Sequence, residues 1–179
     1  MPKDSLRTAT FEELAVPLFD QLYNFAHWLA QDRSEAEDLV QETYAKALKG
    51  FASFEQGTNF RAWMYRILRN TFLTSRSGLK ATVPLEEEGE DAAMPSVPDT
   101  PESLLIDQLN QEALQQGIAE LPVHFREIVL MADVEEMSYQ EIAQALSIPN
   151  GTVMSRLARA RKALRESLRK KLGVRSHVL

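Results

Sequence analysis

Between Ser147 and Lys171 the chain reads SIPNGTVMSRLARARKALRESLRKK, with eight basic side chains and one acid, Glu166. Cationic groups at this density bind polyanions. Arginine pairs bidentately with guanine edges, and lysine meets phosphate as a point charge. As a helix of about 100° per residue, the segment gathers Val153, Leu157, Ala160, Leu164 and Leu168 on one side. Ser155, Ala158, Arg159 and Lys162 fall opposite, with Arg156, Arg161 and Arg165 on the flanks. One side to bury and one cationic side to present is what a helix needs in order to lie in the DNA major groove.

The stretch just before it supports that geometry. SYQEIAQAL predicts a helix from Ser138 to about Leu146 that buries Ile142, Ala143 and Leu146. SIPNG then offers Ile148 as the core of a turn, with Pro149, Asn150 and Gly151 to break the helix and allow unusual backbone angles. Helix, short turn and basic helix together predict a helix-turn-helix.

A second constellation lies upstream. Residues 59–80 hold five basic side chains and no acid. GTNFRAWMYRILRNTF predicts a helix with Phe60, Trp63, Met64, Ile67, Leu68 and Thr71 along one face. Tyr65, Arg66, Arg69 and Arg76 point away from that stripe, with Asn70 at its border. Aromatic rings among arginines suit single-stranded nucleic acid, with rings stacking on bases and guanidinium groups following the backbone. Tyr65 and Trp63 serve equally as core residues, the better reading for Trp63. The preceding helix, SEAEDLVQETYAKALKGF, sets Asp38, Gln41, Glu42, Ala45 and Lys49 on one face. By chemistry alone that is an acidic, solvated helix face.

The elements that must position these groups are helical. Thr10 with Glu13, Ser34 with Glu37, and Ser138 with Glu141 each fit the S/T-x-x-E capping box. From Phe11, apolar residues recur at Leu14, Leu18, Leu22, Phe25 and Leu29. ATVPLEEEGEDAAMPSVPDTPES, with four prolines, seven acids and no aromatic, reads as a linker, and helical patterning resumes at Leu104. The expected fold is all-α. Two small helical domains, 1–80 and 104–179, are joined by a flexible acidic linker over 81–103.

Bulk composition removes several classes of function. The net charge of −6 hides +8 over residues 153–179 and −10 over 81–120. The absence of cysteine excludes disulfides and thiolate-bound zinc, and the three histidines are scattered, so no metal or cofactor is expected. No Gly-rich phosphate loop or nucleophile–base set suggests an enzyme. No run approaches the roughly 20 apolar residues of a membrane span. The N-terminus lacks the apolar core of a signal peptide, so a cytoplasmic protein is expected.

AEDLVQETYAKALKGFASFEQGTNFRAWMYRILRNTF together with ALSIPNGTVMSRLARARKAL resembles bacterial RNA polymerase sigma factors of the extracytoplasmic-function (ECF) group, in the sigma-70 family. The resemblance implies a factor, regulated by an anti-sigma factor, that binds core RNA polymerase and directs promoter-specific initiation. It implies that the D-x-x-Q-E stretch, here Asp38, Gln41 and Glu42, docks on the β′ clamp helices. It places Asn70 where the family captures a base flipped from the −10 single strand, with Lys46 and Tyr65 in support and Thr74 to Leu79 as the specificity loop. Thr152, Ser155, Arg156 and Arg159 match positions used on the −35 duplex, and Lys162 shares their face. Met154 and Ala158 depart from family members that carry arginine and an aromatic there. The acidic linker is read either as a nucleic-acid-like connector or as a plain tether. Two alternatives stay open: a sigma-like decoy that sequesters an anti-sigma factor, and a helix-turn-helix repressor.

Overall fold

A computed structural model describes residues 9–77 and 111–173, and among these residues there are helices and turns but no strand. The all-α expectation holds. The chain divides into two compact units, one N-terminal and one C-terminal, except that Gln144–Ser147, though continuous with the C-terminal helices, are grouped with the first. The acidic linker, residues 104–110 and the last two residues of the expected specificity loop lie outside the described residues.

The N-terminal unit begins with α1 (Phe11–Ala15), closed by the expected capping box: Thr10 Oγ1 accepts from the Glu13 amide and Glu13 Oε2 from the Thr10 amide. The apolar pattern from Phe11 predicts continuous helix, but Pro17 sits in a 3-10 turn, Val16–Leu18, before α2 (Phe19–Ala30). Proline lacks the amide that would continue the helical ladder. Leu22, Phe25 and Leu29 are nevertheless fully buried along α2, as their spacing predicts.

α3 (Arg33–Gly50) starts earlier than the Ser34–Glu37 pattern suggests. Its cap is Asp32, whose carboxylate accepts from the Glu35 amide at 2.8 Å, and Glu37 pairs with Arg33 instead. A carboxylate at the positive end of a helix outcompetes a hydroxyl two residues inside it. After a 3-10 turn, Phe51–Ser53, Asn59 caps α4 (Phe60–Ser77) by accepting from the Ala62 amide. Phe11, Phe51, Phe54, Phe60 and Trp63 form an aromatic cluster around that corner, with centroids such as Phe54–Trp63 at 5.1 Å. Trp63 is thus a half-buried core residue. α2, α3 and α4 pack against one another in all three pairings.

The C-terminal unit contains α5 (Gln111–Glu120), α6 (Val123–Val129), a π turn at Leu130–Val134, α7 (Tyr139–Leu146) and α8 (Asn150–Lys171). Pro122 breaks α5 from α6, and Arg126 repairs the break. Its guanidinium donates to the carbonyls of Ile118 at 3.1 Å, Ala119 at 2.6 Å and Leu121 at 3.1 Å at the helix end, the Ile118 carbonyl also accepting from the Leu121 amide at 3.2 Å. α5 and α6 both pack on α8. At Gly117 a Cβ would lie 3.1 Å from Leu164, so glycine permits the close approach of α5 to α8.

α7 carries the expected Ser138–Glu141 capping box. It buries Ile142, Ala145 and Leu146, whereas Ala143 is only half-buried. The turn differs in detail from its sequence reading. Ser147, at φ 55°, supplies the left-handed backbone; Asn150 and Gly151 already belong to α8, and Pro149 is its N-terminal cap position. Among the described residues no helix is long and apolar enough to cross a membrane.

Candidate functional site

On α3, Asp38, Gln41 and Glu42 are all exposed, as is Ala45 one turn on. The opposite side of the helix explains why: Ala36, Leu39, Val40, Thr43 and Ala47 are buried, so the D-x-x-Q-E face is the one left over. Beside it runs an open groove of about 710 Å³, whose lining includes Phe19, Tyr23, Gln41 and Tyr44. Phe19 stays 49% exposed although its ring lies 5.8 Å from that of Tyr44. Tyr44 is held by donating its hydroxyl to the Ala15 carbonyl at 2.7 Å, and burial, aided by Asp20, pushes its phenol up to about 12. The sequence pattern gives no warning of this groove. Its signal is Pro17, which breaks the helix just before Phe19.

Glu42 and Lys46 meet. Lys46 Nζ lies 3.0 Å from Glu42 Oε1 and donates to Thr71 Oγ1 at 3.3 Å. Thr71 is buried and donates in turn to the Ile67 carbonyl. Lys46 therefore reaches across to α4 at the residue next to Asn70. Asn70 and Arg66 are exposed, and Arg69 is half-buried.

One member of the expected −10 set sits differently from the sequence reading. Tyr65 does not face outward: it is fully buried, its ring 5.0 Å from Phe25, so it offers no surface for stacking a base. α4 packs on both α2 and α3, so it buries a wider face than one stripe, and Tyr65 falls inside it. Arg76 is exposed but engaged within the unit, 3.0 Å from Glu35 and with its guanidinium 5.0 Å from the Phe72 centroid. Thr74–Ser77, which the sequence reading assigns to the specificity loop, belong to α4.

In the C-terminal unit, α8 buries Val153, Leu157, Ala160 and Leu168, with Leu164 half-buried. Ser155, Ala158 and Lys162 are exposed, while Thr152, Arg156 and Arg159 are half-buried at the edges of the outward face. Two of the basic residues brace the fold. Arg161 makes a two-point pair with Asp133 on the π turn, and Lys171 lies 2.7 Å from Glu120 at the end of α5.

A three-helix packing followed by a separate unit ending in a helix-turn-helix defines the class. The family model Sigma-70 region 2 matches residues 17–81, and the model Sigma-70, region 4 matches residues 111–164. The ECF RNA polymerase sigma factor SigW of Bacillus subtilis is 32% identical over 157 residues, covering 84% of each chain. The ECF sigma factor SigE of Mycolicibacterium smegmatis is 33% identical over 169 residues, 93% of this chain but 65% of its own length. Among solved structures, the sigma factor RpoE of Bartonella quintana, in complex with the anti-sigma factor NepR, aligns with a TM-score of 0.68 at 28% identity, covering 89% of this chain and 96% of that one. The chain belongs to the sigma-70 family, in its ECF group.

Proposed function

We propose that this chain binds core RNA polymerase and directs initiation at promoters carrying both a −10 and a −35 element. Asp38, Gln41 and Glu42 dock on the β′ clamp helices, and the groove beside Gln41 lends that face an apolar margin. Asn70 captures a −10 base of the non-template strand; its amide offers both donor and acceptor to a base edge. Lys46, Arg66, Arg69 and Arg76 hold the adjoining backbone. Tyr65, buried beneath, serves by holding α4 against α2. α8 enters the −35 major groove, with Thr152, Ser155, Arg156 and Arg159 near its base-facing end and Lys162 on phosphate. A protein partner that masks these surfaces, an anti-sigma factor, is supported by the likeness to a sigma factor solved with one.

One observation carries the reading. An exposed acidic face on α3 and a basic face beside Asn70 on α4 stand on neighbouring helices of one unit, and the basic second helix of a helix-turn-helix stands in the other. Run-off transcription with bacterial core polymerase on a promoter library tests it. The expected result is initiation from a shared two-part motif, and absence of promoter-specific transcripts from the purified chain overturns the proposal.

A further inference from the structure

The outward face of α8 is not uniformly basic. At about 100° per residue, Met154 and Ala158 run along one edge of that face, Thr152 and Arg159 along the other, with Gly151, Ser155 and Lys162 between. Met154 is 53% exposed, a large apolar side chain left in water on a helix that has ample apolar surface to bury elsewhere. Gly151 is equally unexplained from within. It is absent from the glycines with positive φ, and a Cβ built on it would meet nothing within 4 Å. Glycine in a helix is less stable than alanine, so the protein itself gains nothing from its bareness there.

A helix inserted into the major groove gives both features a use. The base edges exposed there are mostly hydrogen-bonding groups, and the thymine C5 methyl is the one large apolar group among them, against only a C5–H on cytosine. A hydrocarbon placed against the polar edges strips them of water without replacing the bond, whereas against thymine it buries two apolar surfaces. Met154 is long and adaptable, Ala158 a single methyl, and Gly151 bare at the end of the helix that comes nearest the bases.

We propose that Met154 and Ala158 read thymine methyl groups in the −35 duplex, with Gly151 leaving room for the close approach this requires. The inference rests on the assignment of α8 to the −35 element. Four residues of helix rise about 6 Å, roughly two base steps of 3.4 Å, so the target is a short run of thymines on one strand. Arg159, on the other edge of the face, reads the neighbouring polar position.

The test uses holoenzyme assembled from the full chain and core polymerase. A −35 sequence is selected from a randomised library, and each of its thymines is then replaced singly by deoxyuridine, which removes only the methyl. Promoter affinity is expected to fall about fourfold at each contacted thymine, the worth of one buried methyl. In M154A that loss should vanish at one position while the others keep it; an unchanged thermal melt checks that this exposed substitution leaves the fold intact. A selected −35 motif with no thymine, or one at which deoxyuridine changes nothing, overturns the methyl reading and leaves duplex binding standing. A holoenzyme that selects no −35 sequence at all removes both.

Discussion

Lys46 Nζ sits between Glu42 Oε1 at 3.0 Å and Thr71 Oγ1 at 3.3 Å, tying a residue proposed to face polymerase to one beside Asn70. Charge reversal at Glu42 is therefore expected to do two things at once, weakening polymerase docking and displacing the ammonium group. Gln41→Ala, one position away and free of that pair, separates them. It should lower co-purification with core polymerase while leaving unchanged the affinity of the preformed holoenzyme for a −10 single strand. Glu42→Lys should lower both. Tyr44 offers a stability test. Tyr44→Phe removes the bond to the Ala15 carbonyl and should cost about 1 kcal/mol in urea unfolding at neutral pH. Because the folded phenol is raised, that contribution is complete below the ordinary value of 10.0 and is lost as pH climbs through about 12. Single-residue legibility from the sequence was uneven for a physical reason. Asp38 and Gln41 could be placed outward because Leu39 and Val40 beside them are plainly apolar, and Asn70 only at the border of its stripe, whereas Tyr65 is amphipathic and its side was decided by how many helices α4 touches.

Helix ends were legible where the signal is local. Thr10 and Ser138 cap their helices through partners three residues away, bonds that need no tertiary context. Ser34 competed with Asp32 for the same role and lost, since two adequate caps two residues apart leave the choice to charge at the helix end. The turn before α8 shows the same limit: Gly151 looked like the flexible residue, yet the left-handed position fell on Ser147, which α7 reaches first. These elements carry their own predictions. Gly151→Ala should stabilise the fold, by about 0.5–1 kcal/mol, while weakening promoter binding. Thermal melts and promoter titrations moving in opposite directions would separate a DNA-directed glycine from a structural one. Arg126→Ala removes the groups that close α5 and should cost the C-terminal unit about 2 kcal/mol. Both tryptophans, Trp28 and Trp63, lie in the N-terminal unit, so the loss should appear in far-ultraviolet circular dichroism while the tryptophan fluorescence transition stays in place.

At the scale of the whole molecule, net acidity is compatible with the proposed nucleic-acid binding because charge is segregated along the chain. Positive charge is gathered on α4 and α8, which belong to different units, and residues 81–120 hold ten of the 26 acids and no lysine or arginine. Two modest grips on one promoter multiply, because the second binds at the high local concentration set by the first. Each phosphate contact also releases about 0.9 counterion on duplex DNA and about 0.7 on a single strand, so its loss lowers the slope of log affinity against log salt by somewhat under one. Arg66→Ala in the N-terminal unit and Lys162→Ala in the C-terminal unit should each lower the holoenzyme's slope by that amount. The double variant should lower it by the sum of the two, since the contacts fall on separate stretches of DNA and share no partner. Promoter titrations between low and physiological salt would measure this. A double variant with the slope of either single one would mean that the two units do not hold the same promoter together, and the two-grip account would fail even if each unit binds DNA alone.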